Sequence, residues 1–136
     1  VQRRCRSLSP NAVTFLGRLS DEQLALQYRT HHIFALPSYE GFGIVYLEAM
    51  RFGLPSIATT AGAAHELIGN GANGFLVAPG NAQALANHLR SLHSNREQLV
   101  AMSYAAQQRY IQHPTWQQSM APAVTWLNAL FNLTNP

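Results

Sequence analysis

Two acidic residues, Glu40 and Glu48, frame two glycines, Gly41 and Gly43, in an otherwise largely apolar stretch of the chain. Ile44, Leu47, Ala49 and Met50 recur there at broadly helical spacing, and Gly53 followed by Pro55 supplies a stop. A helix is therefore predicted from Gly43 to Phe52, and it begins inside a glycine-flanked loop. Without a β-carbon, Gly41 and Gly43 let a ligand approach the main chain closely. The unpaired N–H groups of a first helical turn, with roughly half a positive charge from the macrodipole, suit a phosphate. A pyrophosphate could be held this way without lysine. The two carboxylates must do different jobs. Even on a continuous helix, at ~1.5 Å and ~100° per residue, they would stand ~12 Å apart and off one line. The loop carboxylate can face a reacting group. The deeper one can accept hydrogen bonds from ribose hydroxyls, as acidic residues do in other doubly wound nucleotide sites.

The surrounding elements decide whether these groups meet a ligand. Val13-Thr14-Phe15-Leu16, closed by Gly17, reads as a first buried strand. Ser20-Asp21-Glu22-Gln23 matches a capping box and opens a short helix. Ile33–Leu36, stopped by Pro37, reads as a second strand, Ser56–Thr59 as a third and Gly74–Val77 as a fourth, with a short helical piece from Ala63 to Ile68. Asn81, Asn95 and Thr115 are placed to cap three closing helices. The last carries Trp116, Met120, Val124, Leu127 and Phe131, an apolar stripe that ordinary core packing explains. Short strands alternating with helices predict an α/β fold, a doubly wound, Rossmann-like parallel sheet with helices on both faces. In such a sheet ligands bind outside the carboxyl ends of the strands, where the Pro37–Gly43 loop lies.

Composition narrows the classes. With 47% hydrophobic and 11% charged residues among 136, one globular domain is expected rather than a disordered chain. The net charge is +3, but Arg3, Arg4 and Arg6 supply much of it from one end, so no basic face predicts a nucleic-acid partner. Cys5 is the single cysteine, which excludes an intramolecular disulfide framework. No apolar run approaches the ~20 residues of a membrane span, and the start lacks a signal-peptide pattern, so a cytoplasmic protein is expected. Gly69-Asn70-Gly71-Ala72-Asn73-Gly74 spells a dinucleotide fingerprint, yet it precedes a strand instead of joining a strand to a helix and reads as a turn. His88 and His93 stand five apart on a helix, which implies no metal site. Tyr39 and Phe42 could stack on a ligand, although aromatic residues beside a strand end are more often packed.

The eleven residues Glu40-Gly41-Phe42-Gly43-Ile44-Val45-Tyr46-Leu47-Glu48-Ala49-Met50 resemble the E-x7-E motif of the retaining, GT-B-fold glycosyltransferases of group 1, or family 4 type. Val13–Gly17, Leu36-Pro37-Ser38, Gly53-Leu54-Pro55, Asn73–Val77 and Pro79-Gly80 follow the family's order, so the similarity runs from about Val13 to Leu92. The resemblance implies the C-terminal donor-binding half of a GT-B fold, truncated, with the acceptor domain and the first two strands outside residues 1–136. It implies transfer of a hexosyl-type group from a nucleotide diphosphate sugar to an unknown acceptor, with retention and without a cofactor or essential metal. The isolated fragment would be inactive. By similarity Glu40 lies near the anomeric carbon and is catalytic, and Glu48 holds the ribose. Gly41, Phe42, Gly43, Ile44 and Val45 meet the diphosphate and sugar, and Arg18 and Leu19 lie beside the nucleobase. The family often has Gly-Gly and a proline where this chain reads Gly62-Ala63-Ala64-His65-Glu66, so no role is carried to Glu66. The family's phosphate-clamping Arg and Lys have no counterpart here. A sugar-nucleotide epimerase of the same fold and a non-catalytic binding or assembly module are the alternative readings. Exposed strand edges allow a homodimer, and peripheral membrane association stays open for a longer parent.

Overall fold

The computed structural model describes residues 12–134, which divide between His31 and His32 into two compact units. The first unit holds an irregular stretch, 12–20, and helix α1 (Asp21–Thr30). The capping box forms in both directions. Gln23 N–H donates to Ser20 Oγ at 3.3 Å, and Ser20 N–H donates to Gln23 Oε1 at 2.9 Å. The strand expected at Val13–Leu16 is absent; Val13, Phe15 and Leu16 lie about half exposed in irregular chain. A short β-rich run becomes a strand through a ladder partner, and this one has none among the described residues.

The second unit runs β1 (Phe34–Leu36), α2 (Ile44–Arg51), β2 (Ser56–Thr59), α3 (Ala64–Leu67), β3 (Gly74–Val77), α4 (Ala82–Ser94), α5 (Arg96–Gln112) and α6 (Trp116–Thr134). The strands form one parallel sheet in the order β1-β2-β3, with Phe34 beside Ser56 and Ile57 beside Phe75. Each parallel step needs a crossover, and α2 and α3 lie in those crossovers. All four residues of the central β2 are buried, and the strand alternates its faces. Ala58 packs with Tyr46, Met50, Leu67 and Ile68, while Ile57 packs with Phe75, Val77, Leu92 and Met102. Ala106 joins the first cluster and Leu99 and Met102 the second, so α5 contributes to both. Fully burying a side chain such as Met50, Ile57 or Leu92, each 0% exposed, contributes roughly 1.5–3 kcal/mol.

The Gly69–Gly74 hexad is a turn ahead of β3, as its context predicts, with Gly71 at φ +81° and its N–H donating to Gly74 O. The apolar stripe of α6 departs from expectation. Trp116 is 77% exposed and Val124 and Leu127 about half exposed, so this chain does not bury them as core. Helical periodicity identifies an apolar face but not what covers it. Among the described residues no helix is long and apolar enough to cross a membrane.

Candidate functional site

Most of the candidate residues sit where β1 passes into α2. Pro37 ends the strand, the chain crosses the carboxyl edge of the sheet, and α2 starts at Gly43. Gly43 has φ +73° and ψ +20°, in the left-handed region, which turns the loop sharply into the helix. It has no side chain to cap the first turn, and no side-chain hydrogen bond caps this helix. The other helices of eight or more residues are closed by their own caps. Ser20 serves α1, Asn81 serves α4, Asn95 serves α5, and Thr115 Oγ1 accepts from Gln118 N–H at α6. Among the described residues no side chain therefore caps the amides at the start of α2, and of these Tyr46 N–H donates to Gly43 O.

Gly43 itself is buried, against the side chains of Leu67 and Tyr46, while the residues on either side of it are exposed. Tyr39 is 73% exposed, Phe42 86% and Ile44 62%, and Gly41 has no atom within 4 Å of where a β-carbon would lie. Tyr39 and Phe42 are therefore not packed as aromatic residues beside a strand end usually are. Glu40 is half-buried on the loop, whereas Glu48 is exposed on the second turn of α2. The two carboxylates belong to different elements.

The loop is fastened at both ends. Tyr46, 0% exposed, donates its hydroxyl to Leu36 O at 3.1 Å and so ties the first turn of α2 to the end of β1. Burial raises the Tyr46 phenol above its ordinary pKa, and the negative charge of Glu40 raises it further. The Glu40 carboxylate is therefore close enough to α2 to be felt at Tyr46. Thr59 Oγ1 donates to Ser38 O, and Glu40 pairs with Gly62 as an isolated parallel bridge. Sequence reasoning did not find Thr59 or Gly62 as parts of this site. The only signal was Gly62 itself, a glycine after a strand end where the family resemblance has its Gly-Gly.

Arg18 and Leu19 belong to the first unit, just before α1, with Leu19 half-buried and Arg18 exposed. Two hollows mark the second unit. One, of about 160 Å³, lies at the carboxyl edge between Pro37, Thr59, Val77, Asn81 and Leu85. The other, of about 450 Å³, is lined by His65, Glu66, Asn73, Arg109 and Gln112 among others. Neither of these two is lined by Glu40 or Glu48.

A family profile described as "Glycosyl transferases group 1" matches residues 2–109. The D-inositol 3-phosphate glycosyltransferase of Corynebacterium urealyticum is 33% identical over 120 residues, covering 88% of this chain and 28% of that protein. The chain is also similar to the crystal structure of Anabaena Alr3699/HepE in complex with UDP-glucose, with TM-score 0.67 and 36% identity over 75% of this chain and 28% of that one. A solved C-terminal domain of a group 1 glycosyl transferase from Francisella tularensis matches with TM-score 0.65 and 33% identity, covering 70% of this chain and 50% of that one. This chain belongs to the group 1 glycosyl transferases, whose GT-B fold it shares in part. It spans less than a third of the length of the curated relatives it matches.

Proposed function

We propose that the chain is the C-terminal, donor-binding part of a retaining glycosyltransferase that moves a hexosyl group from a nucleotide diphosphate sugar to an acceptor. The observation that carries this reading is the uncapped start of α2, opening at the carboxyl edge of the sheet beside Glu40. The likeness to a relative solved with UDP-glucose supports a nucleotide-sugar ligand, and the likeness to a solved C-terminal domain supports its place in a longer protein. The acceptor domain and the first two strands of the sheet would then come from sequence outside this chain.

In this reading the amides from Gly41 to Val45 hold the diphosphate and stabilise the charge that grows on it as the sugar departs. Such preorganised stabilisation is usually the largest single catalytic contribution. Glu40 faces the anomeric carbon, where positive charge develops, and Glu48 accepts from the ribose hydroxyls. For Arg18 and Leu19 the family resemblance alone carries the expectation of nucleobase contact. No cofactor is required by these roles.

Amide spectra of this chain titrated with UDP and UDP-glucose test the proposal. The largest shifts are expected between Gly41 and Tyr46. Shifts centred instead on Ala82–Ala84 at the start of α4, or no binding at millimolar ligand, would remove the reading. In a protein of the relatives' full length, Glu40→Gln should lower turnover by roughly 100-fold or more, within the range for loss of a transition-state electrostatic group. Donor affinity should stay within about threefold, a difference under ~0.7 kcal/mol. Unchanged turnover refutes the catalytic role.

A further inference from the structure

We infer that Thr59 and Gly62 are positioning residues for Glu40, an assignment that rests on the donor-site reading of that glutamate. Thr59 ends β2 and Gly62 lies in the connection after it, and neither was expected to act on the β1–α2 loop.

Thr59 ends β2 and is 2% exposed. Its hydroxyl is not needed by the strand ladder, which uses main-chain groups only. It turns instead to the neighbouring loop, donating to Ser38 O at 3.0 Å, while the same oxygen accepts from Ala61 N–H at 3.4 Å. One buried hydroxyl therefore bridges two loops at the carboxyl edge. A further grip falls directly on Glu40. Gly62 pairs with it in the parallel bridge, and Ala63 N–H donates to Glu40 O at 2.8 Å.

Gly62 is required here on two counts. Its φ of +83° is a conformation that other residues rarely adopt, and a β-carbon on it would stand 2.3 Å from Glu40 O and 3.0 Å from Glu40 N. Contact that close between two main chains is possible only where one of them has no side chain. Gly41, one residue beyond Glu40, has open space around it, so the loop is gripped at Glu40 and free immediately after.

The ladder of β1 with β2 ends at Leu36, leaving Pro37–Phe42 without regular pairing apart from this latch. A side chain that must meet a reacting atom has to be held within about half an ångström, and a bare loop does not supply that. The latch fixes the Glu40 backbone, while Gly41 and Phe42 immediately after it stay exposed.

Thr59→Val keeps the shape and removes the donor, and Thr59→Ser restores the hydroxyl. Both are made in this 136-residue chain and read by amide hydrogen exchange at Ala63 and by calorimetry with UDP and UDP-glucose. In Thr59→Val, exchange at Ala63 should rise at least tenfold. UDP affinity should stay within twofold, and the ratio of UDP-glucose to UDP affinity should fall at least threefold, with Ser restoring all three. Unchanged exchange at Ala63 overturns the assignment. So does an equal loss of both ligands accompanied by a lower Tm, which marks a merely structural role. If the unmodified chain binds neither ligand, the donor-site reading fails by itself, and exchange at Ala63 then decides whether Thr59 holds the loop. Gly62→Ala should raise that exchange further than Thr59→Val, and a smaller rise would count against the bridge.

Discussion

Two helices leave the carboxyl edge of the same sheet and begin in opposite ways. At α4 the chain closes its own first turn, because Asn81 Oδ1 accepts from Ala84 N–H at 2.9 Å. At α2 the corresponding residue is Gly43, in the left-handed region and with nothing to offer the amides that follow. Both helices meet the same requirement, that N-terminal N–H groups find acceptors. Asn81 meets it within the chain, and α2 leaves it to solvent or a ligand. On the proposed reading, what the cap residue lacks is what distinguishes the α2 start as a site.

The strongest way to break this contrast is to give α2 a cap of its own. Gly43→Asp should lower UDP affinity by roughly 100-fold, or ~2.7 kcal/mol, by placing a negative charge and an acceptor where the diphosphate would bind. Gly43→Asn, which tolerates the same backbone conformation, should lose less and so isolate the charge. The β-carbon would meet Leu67 Cδ1 and Tyr46 Cδ2 at 3.1 Å, so Tm is followed in parallel. Asn81→Asp at α4 should leave UDP affinity unchanged. Equal effects at the two helices, measured by calorimetry, would erase the distinction.

Much of this contrast was legible beforehand, since caps are local chemistry. Ser20, Asn81, Asn95 and Thr115 all cap as their residue types predict, and β2 and β3 have the bounds that composition and punctuation suggest. What escaped was long-range. Val13–Leu16 has a strand's composition without a ladder partner among the described residues, and the α6 stripe has a core helix's period while Trp116 stays exposed. Tyr39 and Phe42 look like packing residues until the fold leaves them in solvent. The hold of Gly62 on Glu40 spans 22 residues of sequence, and no local pattern around either residue records it.

The next effect sharpens the comparison along α2 itself. Glu48 lies one turn beyond the helix start, and Glu48→Ala should weaken UDP binding about tenfold, or ~1.4 kcal/mol, the loss of one charge-assisted hydrogen bond. Tm is followed in parallel, so that a loss of affinity is separated from a loss of stability. Calorimetry showing undiminished affinity would count against a ribose role. At α4 the reverse pattern holds. Asn81→Ala should cost about 1 kcal/mol of stability by chemical denaturation, the usual loss of an N-cap, with no change in UDP affinity.

The smallest effect concerns how α2 stays in place without a cap. Tyr46 supplies an anchor in its first turn by donating to Leu36 O, and its ring meets Phe34 edge-on with centroids 6.0 Å apart. Tyr46→Phe keeps the ring and removes the hydroxyl, so the loss should be about 0.5–1 kcal/mol, the net contribution of one neutral hydrogen bond. Alkaline pH gives the prediction a second signature. Burial, and then the charge of Glu40, holds the folded-state pKa of Tyr46 above its unfolded value near 10. Below that value both states keep the proton and stability is unaffected by it. Above it the unfolded chain releases the proton first, so stability falls as pH rises toward the raised folded value. Urea melts from pH 9 to above 10 should show this decline in the unmodified chain and a shallower one in Tyr46→Phe. Parallel declines would mean that another group titrates there and that the Tyr46 hydroxyl is not what fixes α2 against β1.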